Sequence, residues 1–572
     1  MSTPLDHEFV RAAADAADRS AAPLAADPDG QLAGVTHRAL ARRVKTLVAA
    51  YRSPDSALHG SGHAVVAATA HLGALRTAQT ATGLFAGGDN VQSPPDSAFT
   101  VNDVCDAHVL AAGAGPELCD VTAALAEIAG AAAEGLRAGG AHTPNHRWEL
   151  CAALARLHRS FPDDRLLDRV ERWLAEGVDI DAEGLYSERS AVYASHVSNP
   201  SLLLLAHVLD RTDLRDAVER NLTATLDLIR PDGTVETVHS RRQDQHGRFP
   251  LAPCLPHYRL LAIRTGRGDF SRAALLAAAG GIDDPDLLAE TLLTPDLCRP
   301  LPTPEPELLP RARYFTTARL ASRTSTTAHS VLYGGSDVPE HRRIRSGLAC
   351  NPTFLRLFAG EAVLDAVRLS RGFFDLGPFR AADMERLADN EYRLTETLTA
   401  AYYQPLPPDR RRADGSYGMT DEGRFSAAMA FPDRPRDEVS QTTRVDVELR
   451  EDGADLRIDI GGPRVPWSLE LTFRPGGVVE AAAPIGDGRW CLTTGPMTYR
   501  AGADEIRVAV DVEAGEPLAG PDRGDVLRYD PGQDYTVVGG TDATTGNRVY
   551  LGGNGPQTLS VALRARRTAP VR

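Results

Sequence analysis

The stretch Pro295-Asp-Leu-Cys-Arg-Pro-Leu-Pro-Thr-Pro-Glu-Pro-Glu-Leu-Leu-Pro310 carries six prolines in sixteen residues. Proline fixes φ and has no N–H to donate, so such a run reads as an extended linker or a strap laid over a surface. It also separates two different textures. Upstream, apolar residues recur with a 3.6-residue period over Ala39–Tyr51, Gly62–Thr80, Val121–Ala138, Arg147–Arg159, Leu166–Ala175, Ser201–Asp210, Leu214–Ile229 and Phe270–Ala279, which predicts helix after helix. Breakers such as Ser160-Phe-Pro-Asp-Asp164 and Pro231-Asp-Gly233 part them. Downstream, Arg444–Leu449, Asp455–Ile460, Trp467–Thr472, Ile506–Asp511 and Ser560–Leu563 alternate with period two between Gly, Pro and Asp turns, which predicts strands.

Many antiparallel helices could build a bundle, a solenoid or a closed ring. No fixed-period repeat favours the solenoid, so an (α/α) toroid is expected over residues 1–294. A Pro-rich linker at 295–312 and an antiparallel β-sandwich over 313–572 complete an α+β multidomain chain; a mixed α+β tail is the alternative. The terminal Arg564–Arg572 stretch reads as a frayed tail.

Composition narrows the function classes. The 572 residues carry a formal net charge of −15, the wrong sign for replacing counterions on a nucleic acid. Lys45 is the only lysine, so nearly all positive charge is Arg, which suits bidentate capture of carboxylate or sulfate. Seven scattered cysteines without a CxxC spacing predict reduced thiols and no zinc site. The opening residues lack a basic start followed by an apolar run, and no stretch approaches 18 apolar residues. A cytoplasmic protein is expected, with no membrane or nucleic-acid partner, no cofactor and no metal; a homo-oligomer is left open.

Four segments depart from plain periodicity. Gly87–Phe99 is a polar, Pro-rich loop in which Asn90 and Gln92 could hydrogen-bond a polar ligand and Asp96 could cap a helix. In Thr143-Pro-Asn-His-Arg-Trp-Glu149, Thr143 suits a helix N-cap and Pro144 the first helical position. Asn145 and His146 then occupy a first turn whose free N–H groups and dipole attract an anion. The stretch Asp181–Pro200 crowds Tyr186, Glu188, Arg189, Tyr193, His196 and Asn199, with the two tyrosines spaced for one helix face. Each of these polar residues also has an ordinary structural use, such as a tyrosine hydroxyl bonded inside the fold. Finally, His239–Phe249 is rich in His and Arg, and could be solvated surface or a receiver for an acidic sugar.

Together these segments resemble the heparinase II/III-like polysaccharide lyases. Asn145-His146 is similar to that family's Asn-His pair, and Gly184-Leu-Tyr-Ser-Glu-Arg-Ser-Ala-Val-Tyr193 is similar to the segment bearing its tyrosine. Tyr333–Asp337, Ser346–Phe354 and Phe373–Gly377 resemble the entry to its sandwich. The family's His-x-Asp motif has no counterpart around Arg345–Leu357; His341 lies near but out of position. The resemblance implies β-elimination on a uronate-containing oligosaccharide. Asn145 and His146 would neutralise the carboxylate and Tyr193 would transfer protons, with Arg189 or Arg242 favouring the phenolate. Asn90, Gln92, Tyr186, Glu188, Arg189, His196, Arg242, Gln243 and Asp244 would contact substrate. Two alternatives stay open: a glycoside hydrolase using paired carboxylates among Glu188, Asp96 and Asp244, and a non-catalytic carbohydrate-binding protein.

Overall fold

A computed structural model describes residues 5–87, 91–486, 488–520 and 545–568. The chain packs as two compact units: 1–229 with 249–307, and 230–248 with 308–572.

The first unit is helical. In chain order its helices are α1 (His7–Ala26), α2 (His37–Arg52), α3 (Gly62–Ala78), α4 (Pro94–Ala111), α5 (Cys119–Ala138), α6 (Pro144–Ser160), α7 (Asp164–Leu174), α8 (Ala191–Tyr193), α9 (Asn199–Val208), α10 (Thr212–Leu226), α11 (Leu255–Thr265), α12 (Gly268–Ala278) and α13 (Leu287–Leu293). Helices α2, α4, α6 and α9 pack in succession, and α13 closes back on α2 and α4. The intervening α1, α3, α5 and α7 pack outside them, giving an inner and an outer ring. The inner helices are buried nearly all round, as in α6, where Trp148, Leu150, Cys151, Ala152 and Leu154 are all inaccessible. That explains why the sequence pattern weakens in α4: polar Asp96, Ser97, Thr100, Asn102 and Asp106 lie buried among its apolar residues. The proline run does not hang free. Pro295–Cys298 forms a 3₁₀ turn with Leu297 buried, and Arg259 donates to the carbonyls of Leu297 and Arg299.

The second unit is a β-sandwich. One sheet runs, neighbour to neighbour, Val478–Glu480, Met497–Ala501, Asp504–Ala514, Gln557–Arg566, Gly453–Gly461, Arg436–Arg450, Glu391–Tyr403, Asp383–Ala388. The other runs Ala483–Gly486, Arg489–Cys491, Asn547–Asn554, Pro466–Phe473, Ala362–Arg371, Leu355–Ala359, His329–Tyr333, Leu320–Thr324, Arg311–Phe315. Pairing is antiparallel except where Arg489–Cys491 runs parallel to Asn547–Asn554. Alternate residues of both sheets, among them Val445, Val447, Leu456, Ile458, Leu469, Leu471, Leu559 and Val561, form one apolar core. The last strand reaches Arg566, so the tail begins later than the composition suggests. Residues 230–248, upstream of the proline run, pack with this unit.

Candidate functional site

Helix α6 begins as its sequence predicts, with Thr143 extended at the N-cap and Pro144 in the first turn. Thr143 makes no side-chain capping bond. A distant residue supplies it instead: Glu188 Oε2 accepts from the backbone N–H of Asn145 at 3.2 Å and from Asn145 Nδ2 at 2.7 Å. The anion that the helix N-terminus attracts is therefore the protein's own carboxylate. Both partners are buried. Asn145 Oδ1 has no hydrogen-bond partner among the described residues. His146 is half-buried, its ring set edge-on to His142 at 4.7 Å and to Phe99 at 6.3 Å. Arg38 lies over that same Phe99, 4.2 Å from the ring centre.

A second acid ties the same two segments. Asp179 accepts from Trp148 Nε1 at 3.0 Å, Arg147 Nη2 at 3.2 Å and Ser187 Oγ at 2.5 Å. Between these anchors the chain makes a tight turn, with Asp181 Oδ1 receiving the N–H groups of Glu183 and Leu185. Gly184 sits at φ +92, where a Cβ would lie 2.5 Å from the Arg220 carbonyl oxygen. Only glycine fits that approach.

Tyr186 and Tyr193 do not share a helix face. Tyr186 precedes the helix and pairs with Ile180 in an isolated β-bridge. Its buried hydroxyl donates to Asn199 Oδ1 at 2.9 Å, Asn199 donates to Asn221, and Asn221 to the Gly184 carbonyl. Burial, reinforced by Asp179, pushes the Tyr186 phenol far above its ordinary range. These bonds tie Tyr186 to the turn at Gly184. Tyr193 closes the short α8, whose N-cap Ser190 accepts the Tyr193 N–H at 3.2 Å. A π-turn over Ala194–Ser198 follows before α9. Pro200, near the start of α9, has no N–H to give to the carbonyl four residues back, which accounts for the changed register. Tyr193 stays half-buried, and His196 lies in the π-turn with its ring edge-on to Phe249 at 6.0 Å.

The other expected residues fall elsewhere. Asn90 lies outside the described residues, and Gln92 is exposed, accepting from Thr82 at 3.2 Å. Asp96 is not the cap of α4. Ser93 is, its Oγ accepting the Asp96 N–H, while Asp96 pairs with Arg38. Arg242, Gln243 and Asp244 belong to the second unit. There Ser240 Oγ bonds the Asp244 carboxylate, and Gln243 is exposed. The residue that organises this loop is Gln245, which sequence reading passed over. Its Oε1 accepts from Cys350 and Asn351 N–H groups at 2.8 and 3.0 Å, and its Nε2 donates to the Arg242 and Leu348 carbonyls. Nothing local marks Gln245 out from Gln243; apart from Arg242, its partners Leu348, Cys350 and Asn351 lie over a hundred residues away.

No protein-family model matches the chain, and no curated protein matches it. Solved structures do. A xanthan lyase from Paenibacillus superimposes with TM-score 0.49 at 12% identity, over 98% of this chain and 59% of that one. The chondroitin AC lyase of Streptomyces coelicolor A3, solved with chondroitin sulphate, superimposes with TM-score 0.53 at 13% identity, over 100% of this chain and 82% of that one. At such identity the likeness shows the fold: this chain has the helical-plus-sandwich architecture of that lyase along its whole length.

Proposed function

We propose that the protein is a carbohydrate lyase that cleaves a uronate-containing oligosaccharide by β-elimination. The observation that carries this reading is the double tie between the first turn of α6 and the segment leading to Tyr193. Glu188 and Asp179 hold Asn145, Arg147 and Trp148 from that segment. The segment bearing Asn145 and His146 is thus tied to the one leading to Tyr193, which supports the reading.

In this reading the uronate C5 proton, α to the carboxyl group, is removed by Tyr193 as phenolate. Asn145, through its second Nδ2 hydrogen, and His146 stabilise the charge that develops on the carboxyl oxygens. The electron pair from the broken C5–H bond forms the C4–C5 double bond, and the C4–O bond breaks. Tyr193, now a phenol, returns its proton to the departing oxygen.

A panel of uronate-containing and neutral oligosaccharides tests the reading. Elimination gives a near-ultraviolet chromophore and a product one water lighter than hydrolysis gives. Tyr193→Phe is expected to abolish product formation while binding persists. Hydrolytic products from the wild type, or an active Tyr193→Phe protein, would overturn it.

A further inference from the structure

We infer that Glu188 is a positioning residue that locks the Asn145 side chain in a single amide orientation. For its kinetic consequences this rests on the lyase reading above. A carboxylate has only acceptor atoms, so the Asn145 atom 2.7 Å from it must be Nδ2, and the amide cannot be turned over without setting Oδ1 against a negative oxygen. The same carboxylate oxygen takes the Asn145 backbone N–H, so main chain and side chain are held by one anchor. That anchor is itself buried and sits on a segment fixed by the Asp179 bonds and by the Gly184 turn. It cannot drift to follow a rotating amide. The orientation leaves one Nδ2 hydrogen outside the bond to Glu188, and Oδ1 buried without a hydrogen-bond partner among the described residues. Glu188 therefore acts through Asn145, and its charge enters no proton transfer.

Two replacements separate this role from others. Glu188→Gln keeps an acceptor oxygen for both Asn145 donors, whereas Glu188→Ala removes it. Loss of the lock is expected to lower kcat by about a hundredfold in Glu188→Ala, the scale of a displaced positioning group. KM should move far less, and Glu188→Gln should recover kcat to within about tenfold of wild type, the difference between a charged and a neutral acceptor. A Glu188→Gln enzyme as inactive as Glu188→Ala would overturn the inference, because only a proton-transfer group needs the ionisable carboxyl. So would a Glu188→Ala enzyme with a lowered melting temperature but undiminished kcat. If Glu188→Ala does not fold, the Asn145 side-chain amide signals in ¹⁵N spectra decide. They should exchange slowly with solvent in wild type and Glu188→Gln, and rapid exchange in wild type overturns the lock. Should the wild type yield no unsaturated product, the lyase reading fails, while amide exchange still tests the lock independently.

Discussion

The two units surround several of their glutamates in different ways. In the helical unit, Glu149 and Glu290 are surrounded by helices, and burial pushes both upward, to about 7 and about 8. Glu149 takes hydrogen bonds from the neutral Asn102 and Ser201, at 2.6 and 3.4 Å. Glu290 feels Asp284, Asp286 and Asp106 as well as Lys45. In the sandwich unit each buried acid meets arginine: Glu236 with Arg356 at 2.6 Å, Glu396 with Arg371 at 2.6 Å, and Glu470 with Arg368. Burial would raise Glu236 too, but Arg356, Arg230 and the Val238 N–H outweigh it and bring it to about 2. The lesson is that desolvation sets the direction until nearby cations and hydrogen-bond donors outweigh it. In the helical unit Glu149 has neutral hydrogen-bond donors and Glu290 has acidic neighbours; in the sandwich unit an arginine reaches each glutamate, from the neighbouring strand for Glu470 and from the facing sheet for Glu396.

The largest test removes the cation from each arrangement. Lys45, buried, lies 2.5 Å from Asp103 and 3.4 Å from Asp286. Lys45→Met and Arg368→Met should each cost about 3–5 kcal/mol in chemical denaturation, the scale for stranding a buried partner. The Lys45→Met loss should shrink below pH 5 as the stranded acids take up protons. Equal losses for Lys45→Met at pH 5 and pH 8 would break the contrast.

Next in size is the pH dependence of the wild type. Glu149 and Glu290 keep their protons to higher pH when folded than the ordinary 4.5 allows. Their contribution is therefore complete below 4.5 and is lost as pH climbs through about 7 and 8. Glu236 runs the other way: its contribution is complete above 4.5 and is lost as pH falls toward about 2. Each such group is worth roughly 3 kcal/mol. Hydrogen exchange should show the helical unit weakening first near pH 8.5 and the sandwich first near pH 3. A common pH optimum for both units would contradict this.

A smaller effect is expected from Glu149→Gln. It should leave stability near pH 5 almost unchanged and raise it by about 1–2 kcal/mol at pH 8, where the native carboxyl is forced to ionise. Thermal melts at the two pH values read the difference. Smallest of all is Arg137→Ala, which removes the exposed i,i+3 pair with Glu134. No measurable change in melting is expected at any pH.

Much of the architecture was legible in advance because it is written at short range. Every predicted helix window falls on an observed helix, and all five predicted strands are present. No window covered helices α1, α4, α8, α11 and α13, although Asp96 was read as a cap beside α4. In α4 and α11 buried polar residues, such as Asn102, Asp106, His257 and Arg259, blur the apolar stripe. The sequence named candidate residues, and the structure shows how some of them are held. Asn145 and His146 were picked out by the helix-start signal before them, and Tyr193 by the resemblance. Their separation from Tyr186 could not be read, because seven-residue spacing means a shared face only if a helix is there, and the chain turns at Gly184 instead.

The sequence alone therefore determined many of the stretches that are helix and strand, and which polar segments break the pattern. Those properties follow from periodicity and from backbone preferences acting over a few residues. Tertiary structure decided the rest. It put Glu188 on Asn145 across 43 residues, gave Asp179 to Trp148, and set 230–248 with the second unit through Gln245. Hydrogen-bond partners of buried polar groups are chosen by what the folded chain brings within 3 Å, and no local pattern records that choice.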